Sequence, residues 1–182
     1  MSCLLTAGRT IPCKDVVGGI KAVYFVNFGD ITAITESADD EITNMTGTFS
    51  AYKYDLKGNS SFEQSFNSSR ENGTTFFEQT LNLTFTKLTK EDNKELKLMA
   101  YGRPQVVVLD YNDNAFLMGA KHGAEVTGGS IVTGAAMGDL SGYTLTLTAQ
   151  EVKPANFIAG VDLTNAEEVF AGMASATVTI VP

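Results

Sequence analysis

Residues able to do chemistry are few in this chain, and their spacing limits what each can do. The stretch Thr127 to Gly142 reads TGGSIVTGAAMGDLSG and sets Gly129 and Gly134 in the G-x-x-x-x-G spacing of a phosphate-cradling loop. Such a loop needs a Lys and a Ser or Thr after its second glycine, to reach phosphate and magnesium. Ala135 and Ala136 stand there instead. Asp110-Tyr111-Asn112-Asp113-Asn114 opens like a calcium loop. Its sixth position is Ala115 where Gly is required, and its twelfth is Lys121 where a bidentate Glu is required. The same letters make a turn through side-chain-to-backbone bonds and tolerance of left-handed φ. His122 is the only His, with no Cys near it and no G-x-S-x-G serine anywhere. A general base without a nucleophile and an orienting partner is not a catalytic unit. Cys3 and Cys13 cannot close a zinc site without histidines. In an oxidising setting they can pair as a disulfide; in cytosol they stay reduced, and the sequence leaves both open. The expectation is a chain with no catalytic residue, no cofactor and no metal.

Composition bounds the rest. The 182 residues suit one domain with a sizeable core. Apolar residues at 43% against 19% charged describe a globular chain, and abundant Thr, Asn, Ser and Gly favour strands and turns. Net charge is −8, and the basic residues are scattered. That argues against attractive binding to nucleic acid, which draws on neutralised phosphates, while an acidic surface keeps DNA from sticking. No apolar run reaches the roughly 18–20 residues that span a bilayer. The start, MSCLLTAGRTIPC, does not read as a secretory signal, so folding in the cytoplasm is expected. Five Asn-x-Ser/Thr sequons, at Asn44, Asn59, Asn67, Asn72 and Asn82, follow from the composition. They would carry glycans only in a secreted protein.

The elements expected to position these residues are mainly strands. IKAVYFVNF from Ile20 reads as a buried strand and MTGTFSAYKYDL from Met45 as another, with a loop at Glu36–Glu41. FEQSFN at Phe62–Asn67 is echoed by FEQTLN at Phe77–Asn82, around a turn at Asn72-Gly73, which predicts a hairpin. Thr89 and Asp92 open a helix at about 90–100, with Leu96, Met99 and Ala100 on one face and Gly102 and Pro104 ending it. A short helical turn at about 165–171 is expected, capped by Thr164 with Glu167 reciprocating. QVVVLDY, AFLMGAKHGAEV, YTLTLTAQ and ASATVTIV complete the strands. Antiparallel strands without a βαβ rhythm indicate a mainly β sandwich or barrel with one flanking helix.

The successions FLMGAKHGAEVTGG and GAAMGDLSGYTLTLTAQEVKPANFI resemble the tail tube (major tail) proteins of tailed phages, as does the opening PCKDVVGGIKAVYFVNFGDI. In that family a glycine-rich connection leads to a strand ending in a Gln-Glu or Glu-Glu pair, followed by a Pro-Ala or Pro-aromatic step. The resemblance implies a structural virion protein, not an enzyme. Its subunits form stacked, hexameric rings, and neighbouring sheets join into one barrel around the DNA. It implies as partners the chain itself and other tail proteins such as the tape measure and terminator. DNA would pass through the lumen without specific binding, no membrane would be involved, and the protein would reside in the virion tail after assembly in the host cytoplasm. Within one domain over 1–182, residues 1–19 with Cys3 and Cys13 become an N-terminal arm. Residues at about 57–75 become a projecting loop or hairpin between rings, with Asn67, Arg70, Glu71, Asn72 and Gly73 as its candidate contacts. Gly128, Gly129, Gly134, Gly138 and Gly142 become a candidate inter-subunit loop. Another virion sandwich protein (a tail terminator, capsid decoration or injection-system tube) is the alternative, and a secreted binding module a more distant one.

Overall fold

The computed structural model describes residues 7–11 and 13–182. It is 47% strand and 9% helix, which puts the chain in the mainly β class. In chain order the elements are β1 (Ile20–Val26), β2 (Ala33–Glu36), β3 (Ile42–Asp55), β4 (Ser61–Ser69) and β5 (Thr74–Thr86). Helix α1 (Lys90–Tyr101), β6 (Gln105–Asp110), β7 (Ala115–Met118), β8 (Glu125–Val132) and β9 (Gly142–Glu151) follow. A single 3-10 turn (Glu168–Phe170) and β10 (Ala176–Val181) end the chain. Among the described residues no helix is long and apolar enough to cross a membrane.

The strands form two sheets. One has the order β10-β3-β1-β6-β7 with β2 also on β3; the other has the order β4-β5-β9-β8. In the central strands of the first, IKAVYFV and QVVVLD, nearly every residue is buried. Such a run has two apolar faces, and each must be covered. Val23, Phe25, Val106 and Val108 pack toward Leu81, Leu83, Leu145 and Leu147 of the second sheet. Tyr24, Val26, Val107 and Leu109 face the other way, and Ile158, Val169, Phe170 and Met173 of the C-terminal segment close over them. The molecule is therefore three layers deep at its centre.

The second sheet alternates cleanly. In β9 the positions Tyr143, Leu145, Leu147 and Ala149 are buried while Thr144, Thr146 and Thr148 are half-exposed. Helix α1 lies outside both layers and buries no residue completely; Leu96 and Met99 pack on the core, but Ala100 is exposed. Its start is as the sequence predicts, with the Thr89 hydroxyl accepting the Asp92 amide at 3.0 Å.

Three expectations need correction. AFLMGAKHGAEV is not one strand. It breaks at Gly119 and Gly123, which take φ of +68° and +76°, and the chain crosses there from the first sheet to the second. The sheets are not wholly antiparallel, because β10 pairs with β3 in parallel, from Ala176 opposite Gly47 to Val181 opposite Tyr52. The short turn near 165–171 is a 3-10 segment beginning after Glu167, with no side-chain cap. Thr164 instead donates to Asp162, and the Glu167 amide donates to Asn165. In addition, Glu36, read as loop, is the last residue of β2.

A buried polar knot locks the outer layer down. Glu168 accepts hydrogen bonds from the Tyr24 hydroxyl and, at 2.9 Å, from the Lys53 ammonium. Burial raises the Tyr24 phenol, and Glu168 beside it adds to the effect. Burial alone would raise the Glu168 carboxyl, but its bonds from Lys53 and Tyr24 outweigh that and hold it below the ordinary carboxylate value. A lowered folded-state value means the carboxylate stabilises the fold above the unfolded carboxyl's ordinary range and loses that contribution as pH falls through the folded value. Glu168→Gln is expected to cost about 1.5–3 kcal/mol at pH 7, the worth of charge-assisted hydrogen bonds. The gap from wild type should narrow when the two are compared by denaturant unfolding at pH 3.

Candidate assembly surfaces

The second sheet is open at both ends of its strand order. Among the described residues β4 carries no partner beyond β5, and β8 carries none beyond β9. β4 and β8 are mostly exposed along their lengths. The first sheet is closed at one end only: the short edge strand β7 is covered, with Ile158 donating to the Ala115 carbonyl at 2.9 Å and Leu117 to that of Asn156, while β10 at the other end carries no partner beyond β3 among the described residues. An open strand edge presents a row of unpaired N–H and C=O groups, a template for another chain.

Chemistry on the outward face of this sheet is one-sided. The registers put Ser61, Glu63, Ser65 and Asn67 of β4 opposite Asn82, Thr80, Glu78 and the exposed Phe76 of β5, and Thr84 of β5 opposite Thr144 of β9 on the same face. Thr144, Thr146, Thr148 and Gln150 of β9 and Glu125, Gly128 and Ser130 of β8 continue the same face. None of the four strands contains a Lys, Arg or His. All 13 basic residues lie elsewhere in the chain.

The five glycines grouped as an inter-subunit loop do not act together. Gly128 and Gly129 lie within β8, beside a register shift between Val126 and Gly128, and so belong to the open edge. Gly134 and Gly138 are in the connection from β8 to β9, and Gly142 is the first residue of β9. The strand runs on past Gly129 because Ser130 and Ile131 keep the alternation opposite Thr144 and Tyr143. The remaining connection is not slack. Asp139 accepts the amides of Ala135 and Ala136 at 2.9 and 2.7 Å, which lowers its carboxyl below the ordinary value. The two amides after Gly134 are thus occupied by the loop's own carboxylate.

Residues 61–86 form the expected hairpin, its strands joined through residues 70–73. The echo has a structural meaning. Gln64 stands opposite Gln79, and the two copies run antiparallel about that pair. Each glutamine points to the buried side and ties down a connection: Gln79 accepts the Gly119 amide at 3.0 Å, and Gln64 accepts the Ala155 amide at 2.7 Å. Arg70, Glu71, Asn72 and Gly73 occupy the exposed tip, and Asn67 is exposed near the end of β4. Cys13 is exposed. Its expected partner Cys3 lies outside the described residues, as do all of residues 1–6. The rest of the arm is pinned where it enters β1, since Asn112 accepts the Val17 amide and donates to its carbonyl, at 2.9 and 2.7 Å.

The Asp110–Asn114 segment makes the β6–β7 turn. The Asp110 carboxylate accepts the amides of Asn112 and Asn114, each at 2.8 Å, and Asp113 takes a φ of +60°. His122 and Glu151, 29 residues apart, meet in the fold. The Glu151 carboxylate accepts the amides of Lys121 and His122, each at 2.8 Å, and lies 3.0 Å from the His122 ring nitrogen. Glu151 is only 5% exposed, so its carboxylate is occupied in holding the sheet-to-sheet crossover, while the His122 side chain stays mostly exposed. Its signal was present: Glu151 continues the inward parity of Leu145, Leu147 and Ala149, as Gln79 continues that of Leu81 and Leu83. Among the described residues no group of three or more His, Cys, Asp or Glu is placed to hold a metal.

No protein-family model matches the chain, and no curated protein matches it in sequence.

The glycines make separable predictions. A Cβ on Gly142 would lie 2.0 Å from the Phe85 carbonyl oxygen, whereas one on Gly138 would meet nothing within 4 Å. Gly142→Ala should therefore cost at least the roughly 1–3 kcal/mol of an overpacked site. Gly138→Ala should leave the thermal midpoint unchanged, and paired melts compare them directly.

Proposed function

We propose that this chain is the structural subunit of a phage-type tail tube, assembling into stacked rings around a channel for DNA, and that it is not an enzyme. The observation that carries this reading is the second sheet: two open edges, with an outward face of hydroxyls, amides and glutamates, a single exposed aromatic (Phe76) and no basic residue. DNA sliding past such a face finds no cation to pair with its phosphates, and the glutamates repel it.

Strand direction supports a ring. The four strands alternate in direction, so β4 and β8 run opposite ways. A head-to-tail repeat about an axis therefore sets β8 of one copy against β4 of the next in antiparallel pairing, and the seam has the same geometry as the interior of the sheet. A heterologous contact of this kind closes into a ring when the rotation allows. In this picture the protein resides in the virion tail, its partners are its own copies and adjoining tail proteins, and no membrane or cofactor takes part.

Negative-stain microscopy of the purified chain should show rings or tubes with a central hole, unchanged by chelator; a strictly monomeric particle at high concentration would overturn the reading. Ile131→Lys places a charge on the β8 edge, and such charges block edge pairing. It should leave a folded monomer that forms no ring. Thr80→Lys with Thr146→Lys adds cations to the proposed channel face. Tubes of that variant should retain DNA with an affinity that falls as salt rises, while wild-type tubes do not.

A further inference from the structure

We propose that Asn72 is a self-modifying site: in the folded chain its side-chain amide is lost by cyclisation onto the Gly73 nitrogen, leaving aspartate and isoaspartate at the turn. The proposal stands apart from the tube reading, since it needs only the fold of one copy. Of the eleven asparagines, Asn72 is the only one followed by glycine. The step brings the backbone nitrogen of the next residue onto the asparagine Cγ. A side chain on that next residue crowds the approach, and glycine has none.

The turn meets the demands of that step. Asn72 and Gly73 are exposed within residues 70–73, which join β4 to β5. Water and hydroxide therefore reach them, and the backbone of such a tip is free to move. Neither the Asn72 carboxamide nor the Gly73 N–H has a hydrogen-bond partner among the described residues; the Asn72 backbone N–H donates to the Ser69 hydroxyl at 3.3 Å. Gly73 takes a φ of +64°, and the space where a Cβ would stand is open. The other asparagines each lack a requirement. Asn44, Asn82, Asn112, Asn114, Asn156 and Asn165 hold their side chains in hydrogen bonds. Asn27, Asn59, Asn67 and Asn93 precede residues that carry side chains.

The chemistry needs only water. The Gly73 nitrogen gives up its proton and bonds to the Asn72 Cγ; the bond from Cγ to Nδ2 breaks, and ammonia leaves with that proton. The product is a five-membered cyclic imide. Water then opens it at one of two carbonyls. Breaking the new bond to Cγ gives aspartate. Breaking the bond to the main-chain carbonyl gives isoaspartate, with the chain continuing through Cγ. Either product sets a carboxylate beside Glu71, and isoaspartate also lengthens the turn, loosening the pair Ser69 and Thr74 that closes it.

The test holds the full chain in mildly alkaline buffer, folded and, in parallel, unfolded by denaturant, with proteolytic peptides read by mass spectrometry. In the folded sample the peptide carrying Asn72 should convert with time into two species of the same slightly higher mass. Isoaspartyl methyltransferase should label one of them, and every other asparagine should stay intact over that interval. Asn72→Gln should abolish the signal, because its amide must close a larger ring, and should leave the thermal midpoint unchanged because the side chain is exposed. Conversion only in the unfolded sample, conversion of another asparagine first, or no conversion in either sample would overturn the proposal. None of these outcomes bears on ring formation.

Discussion

β1 and β6 are apolar on both faces, and a sheet built around them must be covered twice. The rest of the structure answers that demand. The amphipathic strands β4, β5, β8 and β9 cover one face with their leucines. The other face has no strands left to cover it, so the chain after β9 is drawn over it, and Val169, Phe170 and Met173 are buried there. Apolar burial favours this closure, but it does not choose one placement, since the hydrophobic effect is non-directional. The Tyr24–Glu168–Lys53 knot supplies the direction. An unpaired carboxylate left in that layer would be costly, so the segment settles where both donors reach it.

The same division of labour recurs between the sheets. Gln64, Gln79 and Glu151 occupy inward positions in strands that are otherwise apolar on that side, and each accepts backbone amides from a connection. Buried amides must find acceptors, and connections that cross between sheets have no strand ladder to supply them. These three side chains stand in for the missing ladder. This accounts for a polar residue at a core position without a catalytic role, and it gives His122 a place as part of a crossover held by Glu151.

Once both faces of the first sheet and the inner face of the second are occupied, what remains unsatisfied among the described residues lies at the open strand edges β4, β8 and β10 and at the hairpin, where Phe66 is exposed. The edges offer backbone pairing, and Phe66 offers apolar contact. In the ring proposed above, β8 and β4 supply the seam, and the acid-and-hydroxyl face between them lines what the ring encloses.

Much of the fold could be read from the residues because it depends on local periodicity. Alternation in YTLTLTAQ, the hairpin around Asn72-Gly73 and the Thr89 cap each follow from short-range geometry. The absence of basic residues from β4, β5, β8 and β9 was also there to be read, once the strands were known to share a sheet. What the residues alone could not decide was which strands become neighbours. The parallel pairing of β10 with β3, the break of AFLMGAKHGAEV into two sheets and the meeting of His122 with Glu151 all join residues far apart in the chain. Their partners are set by the covering of the central sheet. The glycine stretch divides on the same line. The missing lysine after Gly134 determined that it is not a phosphate loop. Only the tertiary structure decided that Asp139 accepts the amides of Ala135 and Ala136 and that Gly128 and Gly129 belong to an edge strand, because pairing with β9 satisfies backbone groups that a loop would leave to water.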